Sequence, residues 1–175
     1  TSAAEALADN AKSHAEAGDV DYVEADAVAI ALSDGATTSS STDGVAIRGD
    51  VVTISAPGTY RLSGTLTNGQ VVVNSDADGT VKIVLDNASI TSTTGSAFVI
   101  TAADEAVVVL ADGSTNSLTD GTDYDTSAED APNAALFSMA DLTIGGSGAL
   151  SVTGNTNDGI ASKDGVMLPP SPALW

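Results

Sequence analysis

Gly69-Gln-Val-Val-Val73, Gly95-Ser-Ala-Phe-Val-Ile100, Asn133-Ala-Ala-Leu-Phe137 and Asp158-Gly-Ile160 are four versions of one segment, a Gly or Asx lead-in with apolar residues behind it. They begin at residues 69, 95, 133 and 158, so the intervals are 26, 38 and 25 residues. The long interval holds an acidic insert, residues 120–130. Removing about a dozen residues there restores the period. A second series alternates with the first: Gly49-Asp-Val-Val-Thr-Ile54, Asp78-Gly-Thr-Val-Lys-Ile-Val-Leu85, Asp104-Glu-Ala-Val-Val-Val-Leu110 and Asp141-Leu-Thr-Ile144. Each is followed by a turn and a second short strand, reaching Leu62-Ser-Gly64, Ile90, Leu118 and Leu150-Ser-Val152. Short β-branched runs cut by Gly, Asn and Asp predict an all-β protein. A repeat near 25 residues with two or three strands per turn is what a β-solenoid requires, because one coil hides its apolar face only by stacking on the next. A β-sandwich is the alternative, and the regular spacing argues against it.

The 175 residues carry 24 acidic and 5 basic side chains, a net charge of −19. Such a chain lacks the Lys and Arg that neutralise phosphates, which argues against nucleic acid and anionic membrane surfaces as partners. Hydrophobic residues make up 42% of the chain, enough for a core. With no cysteine, disulfides, Cys-based zinc sites and thiol catalysis are all excluded. No apolar run approaches the roughly 18 residues of a membrane span. The chain starts at Thr1 without Met and without a basic-then-apolar leader, and is expected to be a mature exported protein.

The acids are 19 Asp against 5 Glu, a bias toward turns and toward the short oxygen ligands of calcium loops. Asn74-Ser-Asp-Ala-Asp-Gly79 starts like an EF-hand loop, but Leu85 stands where the closing Glu belongs, so an EF-hand is excluded. The insert is the better cation candidate: Asp120, Asp123 and Asp125, with Glu129 and Asp130 behind them. Residues 101–130 hold eight acids and no Lys or Arg, a density that needs salt or a bridging cation. A third group is Asn155, Asn157, Asp158 and Asp164; a mobile acidic loop and stacked Asn turns are the competing readings of these two groups. Gly145-Gly-Ser-Gly148 occurs once and has Leu150 where a calcium β-roll has Asp, so it reads as a tight turn.

Catalysis has little material. The single histidine, His14, lies in the Ala-rich leader, which leaves no Ser-His-Asp triad. Among 24 acids no spacing singles out a hydrolytic carboxylate pair. Of the six aromatic residues, Phe98 and Phe137 sit in apolar strands and are expected in the core, and Tyr124 in the insert is the best stacking candidate. Sugar binding would therefore lean on hydrogen bonding along a flat β-face or on calcium bridging a uronate.

Gly58-Thr-Tyr-Arg-Leu-Ser-Gly-Thr-Leu66, Val84-Leu-Asp-Asn-Ala-Ser-Ile90 and Leu110-Ala-Asp-Gly-Ser-Thr-Asn-Ser-Leu-Thr-Asp-Gly121 carry a family resemblance. So do Asp141-Leu-Thr-Ile-Gly-Gly-Ser-Gly148 and Gly154-Asn-Thr-Asn-Asp-Gly-Ile-Ala-Ser-Lys-Asp-Gly165. Over roughly residues 28–168 the chain resembles bacterial secreted carbohydrate-binding domain-containing proteins. The resemblance implies a right-handed parallel β-helix like that of polysaccharide lyases, binding cellulose-like or acidic-sugar polymers, with calcium among its loops. Under it, the metal candidates are Asp120, Asp123, Asp125, Asp158 and Asp164, and the ligand candidates are Tyr124 and Lys163. Lys163 is also the cation to watch for a cryptic lyase, which would need a Lys or Arg base beside calcium.

The expected organisation is an acidic Ala-rich leader over residues 1–34, helical or irregular, then a solenoid over 35–168 and a Pro-rich tail over 169–175. Two successive prolines, Pro169 and Pro170, are expected to stop the ladder and leave the solenoid truncated. An open end of that kind invites association between copies. The expected function is a non-catalytic, calcium-stabilised, secreted or cell-surface polysaccharide-binding module. A self-assembling adhesive surface protein and a cryptic lyase are the alternatives.

Overall fold

The computed structural model describes residues 22, 24–122, 132–155, 158–163, 166–167 and 173–174. A single 3-10 turn at Glu24–Asp26 is the one helical element among them, and the rest of the regular structure is strand. In chain order the strands are β1 (Val28–Leu32), β2 (Thr38–Ser39), β3 (Val45–Arg48), β4 (Val51–Ile54), β5 (Gly58–Leu66), β6 (Gln70–Asn74), β7 (Thr80–Thr91) and β8 (Phe98–Ala102). They continue with β9 (Glu105–Leu110), β10 (Thr115–Thr119), β11 (Ala134–Ser138), β12 (Leu142–Gly146), β13 (Ala149–Thr153), β14 (Asp158–Ser162), β15 (Val166–Met167) and β16 (Ala173–Leu174).

Neighbouring strands are parallel except in two places. β1–β2 and β3–β4 are antiparallel, so the sheets are mixed. The parallel ladders fall into three stacks. In the first, β1, the start of β5, the start of β7, β9, β12 and β15 lie side by side. In the second, β4, β6, β8, β11 and β14 do so. In the third, the ends of β5 and β7 continue through β10, β13 and β16. Register follows the repeat: Val81 pairs with Ala106, Val71 with Phe98 and Leu66 with Ile90. A β-sandwich would join its neighbours antiparallel; here that pairing is confined to the two pairs at the N-terminal side.

Side chains alternate across each strand, so one set points to a shared interior. Tyr60, Ile83, Val108 and Ile144 share one interior column, and Val71, Phe98 and Leu136 share another. Leu66, Ile90 and Leu118 line the third stack. All belong to one buried cluster. The column Leu62, Leu85, Leu110 ends at Gly146, where φ is +102° and a Cβ would run into the Leu110 carbonyl oxygen. Only glycine fits there.

Two smaller apolar clusters lie on the outer sides of the stacks. Val84, Val107, Val109 and Ala111 form one, on the outside of β7 and β9. Val99, Ala134 and Phe137 form the other. Phe98 is therefore a core residue as expected, whereas Phe137, paired with Val99 one position along, is buried on the outer side.

Two strand pairings involve residues outside the expected solenoid bounds of 35–168. β1 is hydrogen-bonded to β5, so the stacked strands begin inside the region assigned to the leader. Beyond the two prolines the backbone of Ala173–Leu174 pairs with Ala149–Leu150, so the ladder resumes in the assigned tail. Pro169 and Pro170 themselves lie outside the described residues; a parallel neighbour can be reached by any connection that returns to the edge.

Candidate functional site

The outer side of the third stack differs from those bearing the apolar clusters. There, hydroxyl residues alternate with interior leucine, isoleucine and valine: Thr65-Leu-Thr67, Ser89-Ile-Thr91, Ser117-Leu-Thr119 and Ser151-Val-Thr153. Parallel register aligns Thr65, Ser89, Ser117 and Ser151 in one column and Thr91, Thr119 and Thr153 in the next. Each is exposed or half-buried. Strand geometry spaces the rows by about 4.8 Å and the columns by about 6.6 Å, giving a flat grid of donor–acceptor groups. The Ser89 and Ser117 hydroxyls are 2.7 Å apart and bond to each other, which fixes their orientation.

Charged and amide groups frame this grid. On one margin Arg61 Nη1 donates to Asp86 Oδ2 at 3.1 Å, and Asn87 Nδ2 donates to Asp86 Oδ1 at 3.3 Å. Asn87 has φ of +58°, a left-handed conformation that Asn tolerates. Its Oδ1 accepts the Thr115 N–H at 3.0 Å. On the other margin Asp34 accepts the Thr67 hydroxyl at 2.6 Å and the Thr67 N–H at 2.9 Å. The hydroxyl bond, then the backbone bond, holds the Asp34 carboxyl below the usual carboxylate range. Beneath the grid, the buried Asn116 accepts the Ala88 N–H at 2.8 Å and donates to Ser114 Oγ and to the Ala149 carbonyl. The grid is thus rigid, polar and braced from inside.

The candidates picked from sequence lie elsewhere. Asp120 is 2% exposed, and its Oδ1 accepts the Asn155 N–H at 2.5 Å while Asn155 Nδ2 donates to the Asp120 carbonyl at 2.9 Å. That exchange ties two successive turns together. Lys163 is exposed at the end of β14, where its N–H donates to the Ser138 carbonyl at 2.8 Å. Asp158 opens β14, its backbone in register with Ala134. Asp123, Tyr124, Asp125 and Asp164 lie outside the described residues. Among the described residues no three acidic or histidine side chains converge as a cation site would need. The one described metal candidate with a placed side chain, Asp120, spends an oxygen on a backbone N–H.

Sequence reasoning anticipated hydrogen bonding along a flat β-face without finding the residues. The signal was present: a hydroxyl–apolar–Thr tripeptide closes the second strand of every repeat. Ser and Thr are so common in turns that only register separates a column from scatter.

Comparisons with known proteins agree with this framework. A family model described as carbohydrate-binding domain-containing protein matches residues 48–170. A carbohydrate-binding domain-containing protein of Acetivibrio thermocellus is 31% identical over 128 residues, 72% of this chain and 45% of that protein. Among solved structures, the polysaccharide lyase-like protein from C. thermocellum, a gadolinium derivative, superposes with a TM-score of 0.76 at 32% identity. That match covers 81% of this chain and 58% of the other. The chain thus spans about half the length of these relatives.

Proposed function

Because the chain belongs to the carbohydrate-binding domain-containing family, we propose that it is a non-catalytic, extracellular polysaccharide-binding module whose hydroxyl grid meets the glycan. The observation that carries this reading is the paired column of Thr65, Ser89, Ser117, Ser151 and Thr91, Thr119, Thr153. Repeating hydroxyls on a rigid plane complement a polymer that repeats its own hydroxyls, and no side chain has to be ordered on contact. Cellulose-like and acidic polysaccharides are the ligand classes. The three parallel stacks are read as the faces of a right-handed parallel β-helix, a hand supported by the strong preference of parallel crossovers. Calcium is the proposed stabilising ion, its ligands sought among Asp120, Asp123, Asp125, Asp158 and Asp164. A secreted or cell-surface location follows from the same reading.

The test is retention on insoluble cellulose and on polygalacturonate, with calcium or with chelator. The wild-type chain is expected to be retained on at least one of them. A variant carrying Ser117→Ala, Thr119→Val, Ser151→Ala and Thr153→Val is expected to lose that retention while melting as a folded protein. Failure of the wild type on every polymer removes the reading; equal retention of the variant removes the grid. Release of unsaturated uronides absorbing in the ultraviolet would overturn the non-catalytic assignment.

A further inference from the structure

The hydroxyl grid has a direction and a charge. The column Thr65, Ser89, Ser117, Ser151 crosses three strand spacings, about 14 Å, whereas the two columns stand only about 6.6 Å apart. Its long side therefore runs along the stacking axis, across the strands. The strands of this stack and the turns on either side of them span residues 62–70, 86–95, 111–121 and 147–155. These stretches contain no Lys, Arg or aromatic residue, and they contain Asp86, Asp112 and Asp120. Asp34 adds a carboxylate at the Thr67 end, its charge favoured by the hydroxyl and then the N–H of Thr67. Asp120 is buried, but Asp112 is exposed and Asp86 half-buried. Arg61 reaches this frame from the first stack and is bonded to Asp86.

We propose that the grid takes an uncharged glycan as a single extended chain laid along the stacking axis, and that Asp34, Asp86 and Asp112 turn polyuronates away from it. This inference rests on the polysaccharide reading and narrows it. A sugar unit of an extended chain is about as long as one strand spacing, so the rows from Thr65 to Ser151 meet roughly four sugars. Each sugar hydroxyl can donate to or accept from the Ser and Thr hydroxyls of its row. With no aromatic ring in the frame, nothing offers the apolar face of a sugar a platform. Contact is then made by hydroxyls along one edge of a hydrated chain. A polyuronate would bring a carboxylate on every sugar beside the carboxylates of the frame, the like-charge juxtaposition by which a site excludes a competitor. Bridging calcium would cancel that repulsion, so the test is made in chelator.

The isotope-labelled full chain is titrated with glucose through cellohexaose, and separately with hexagalacturonate, and followed by NMR. Affinity should tighten about threefold with each sugar up to the fourth, the worth of one modest hydrogen bond, and level off beyond it. Shifted amide signals should fall on Thr91, Ser117, Thr119 and Ser151, while Val99 and Val109 on the other outer faces stay unmoved. Hexagalacturonate should bind at least about tenfold more weakly than cellohexaose. Asp86→Asn combined with Asp112→Asn should narrow that gap to about threefold or less, in a protein shown to be folded by circular dichroism. Asp34→Asn, read separately, should move the gap in the same direction. No gain beyond a single sugar, shifts on another face, or equal binding of the two hexamers by the wild type would each overturn the proposal. So would a gap left intact in the folded variants. Retention on a polymer without these features removes this inference alone; failure of retention on every polymer removes the polysaccharide reading with it.

Discussion

Replacing Asn116 by alanine removes a buried side chain that bridges three neighbouring backbone segments inside the stack. Asn116 is 1% exposed. Its Oδ1 accepts the Ala88 N–H at 2.8 Å, and its Nδ2 donates to Ser114 Oγ at 2.9 Å and the Ala149 carbonyl at 3.1 Å. The Ala88 N–H needs this acceptor because Asn87, at φ +58°, bends β7 between the first and third stacks. Alanine leaves that buried N–H unpaired, at a cost of about 1–3 kcal/mol, and forfeits two further bonds of roughly 0.5–1.5 kcal/mol each. The expected loss is about 3 kcal/mol, because Ser114 Oγ still reaches the Leu85 and Ala111 carbonyls. At roughly 2–4 °C per kcal/mol for a chain of this size, melting should fall by about 6–12 °C. Thermal unfolding followed by circular dichroism reads it directly. Asn116→Leu separates polarity from volume: it fills the space, matching Leu150 in the same column, yet leaves Ala88 unpaired. It should still lose about 2 kcal/mol. A leucine variant as stable as the wild type would refute the bridging argument.

Three further outcomes are expected. Gly146→Ala forces a Cβ against the Leu110 carbonyl at φ +102° and should yield little soluble protein, or a loss above about 3 kcal/mol by urea titration. Tyr60→Phe deletes a 2.7 Å bond to the Ala56 carbonyl and should cost about 1 kcal/mol at neutral pH. Burial pushes the Tyr60 hydroxyl above its ordinary value; the folded state then keeps the proton longer than the unfolded one. The associated stability is complete below about pH 10 and fades as pH rises through the folded value. An alkaline melt should therefore steepen in the wild type and flatten in the phenylalanine variant; identical profiles would count against it. Calcium is expected to raise the melting temperature and a chelator to reverse the rise, because an ion bound only by the native state stabilises it. Equal melting under both conditions would remove calcium from the account.

Strand content, strand positions and the repeat were readable from local sequence, because apolar alternation and Gly/Asx punctuation are properties of consecutive residues. Every apolar run identified from sequence lies within an observed strand, Val51–Ile54 and Leu142–Ile144 among them. Less was readable at the termini. Proline chemistry predicts a break at 169–170, but whether the chain returns to the edge afterwards depends on where that edge is, and Ala173–Leu174 finds it. Asp120 shows the same limit: its acidity suggested a cation, and only the fold reveals that its Oδ1 accepts a backbone N–H from a segment 35 residues away.

The charge of −19, the absence of cysteine and the period near 25 residues belong to the sequence by itself, and they argue against phosphate-bearing partners and predict stacked β-coils. The hydroxyl grid belongs to the tertiary structure. Thr65, Ser89, Ser117 and Ser151 are separated by 24, 28 and 34 residues, and only the pairing register brings them into one column. Which side of a strand faces outward, and whether that side is open like Ser151 or covered like Val109, is likewise decided by neighbours distant in sequence. Local preference determines that a strand forms; the surface it presents depends on what is packed above, below and across it.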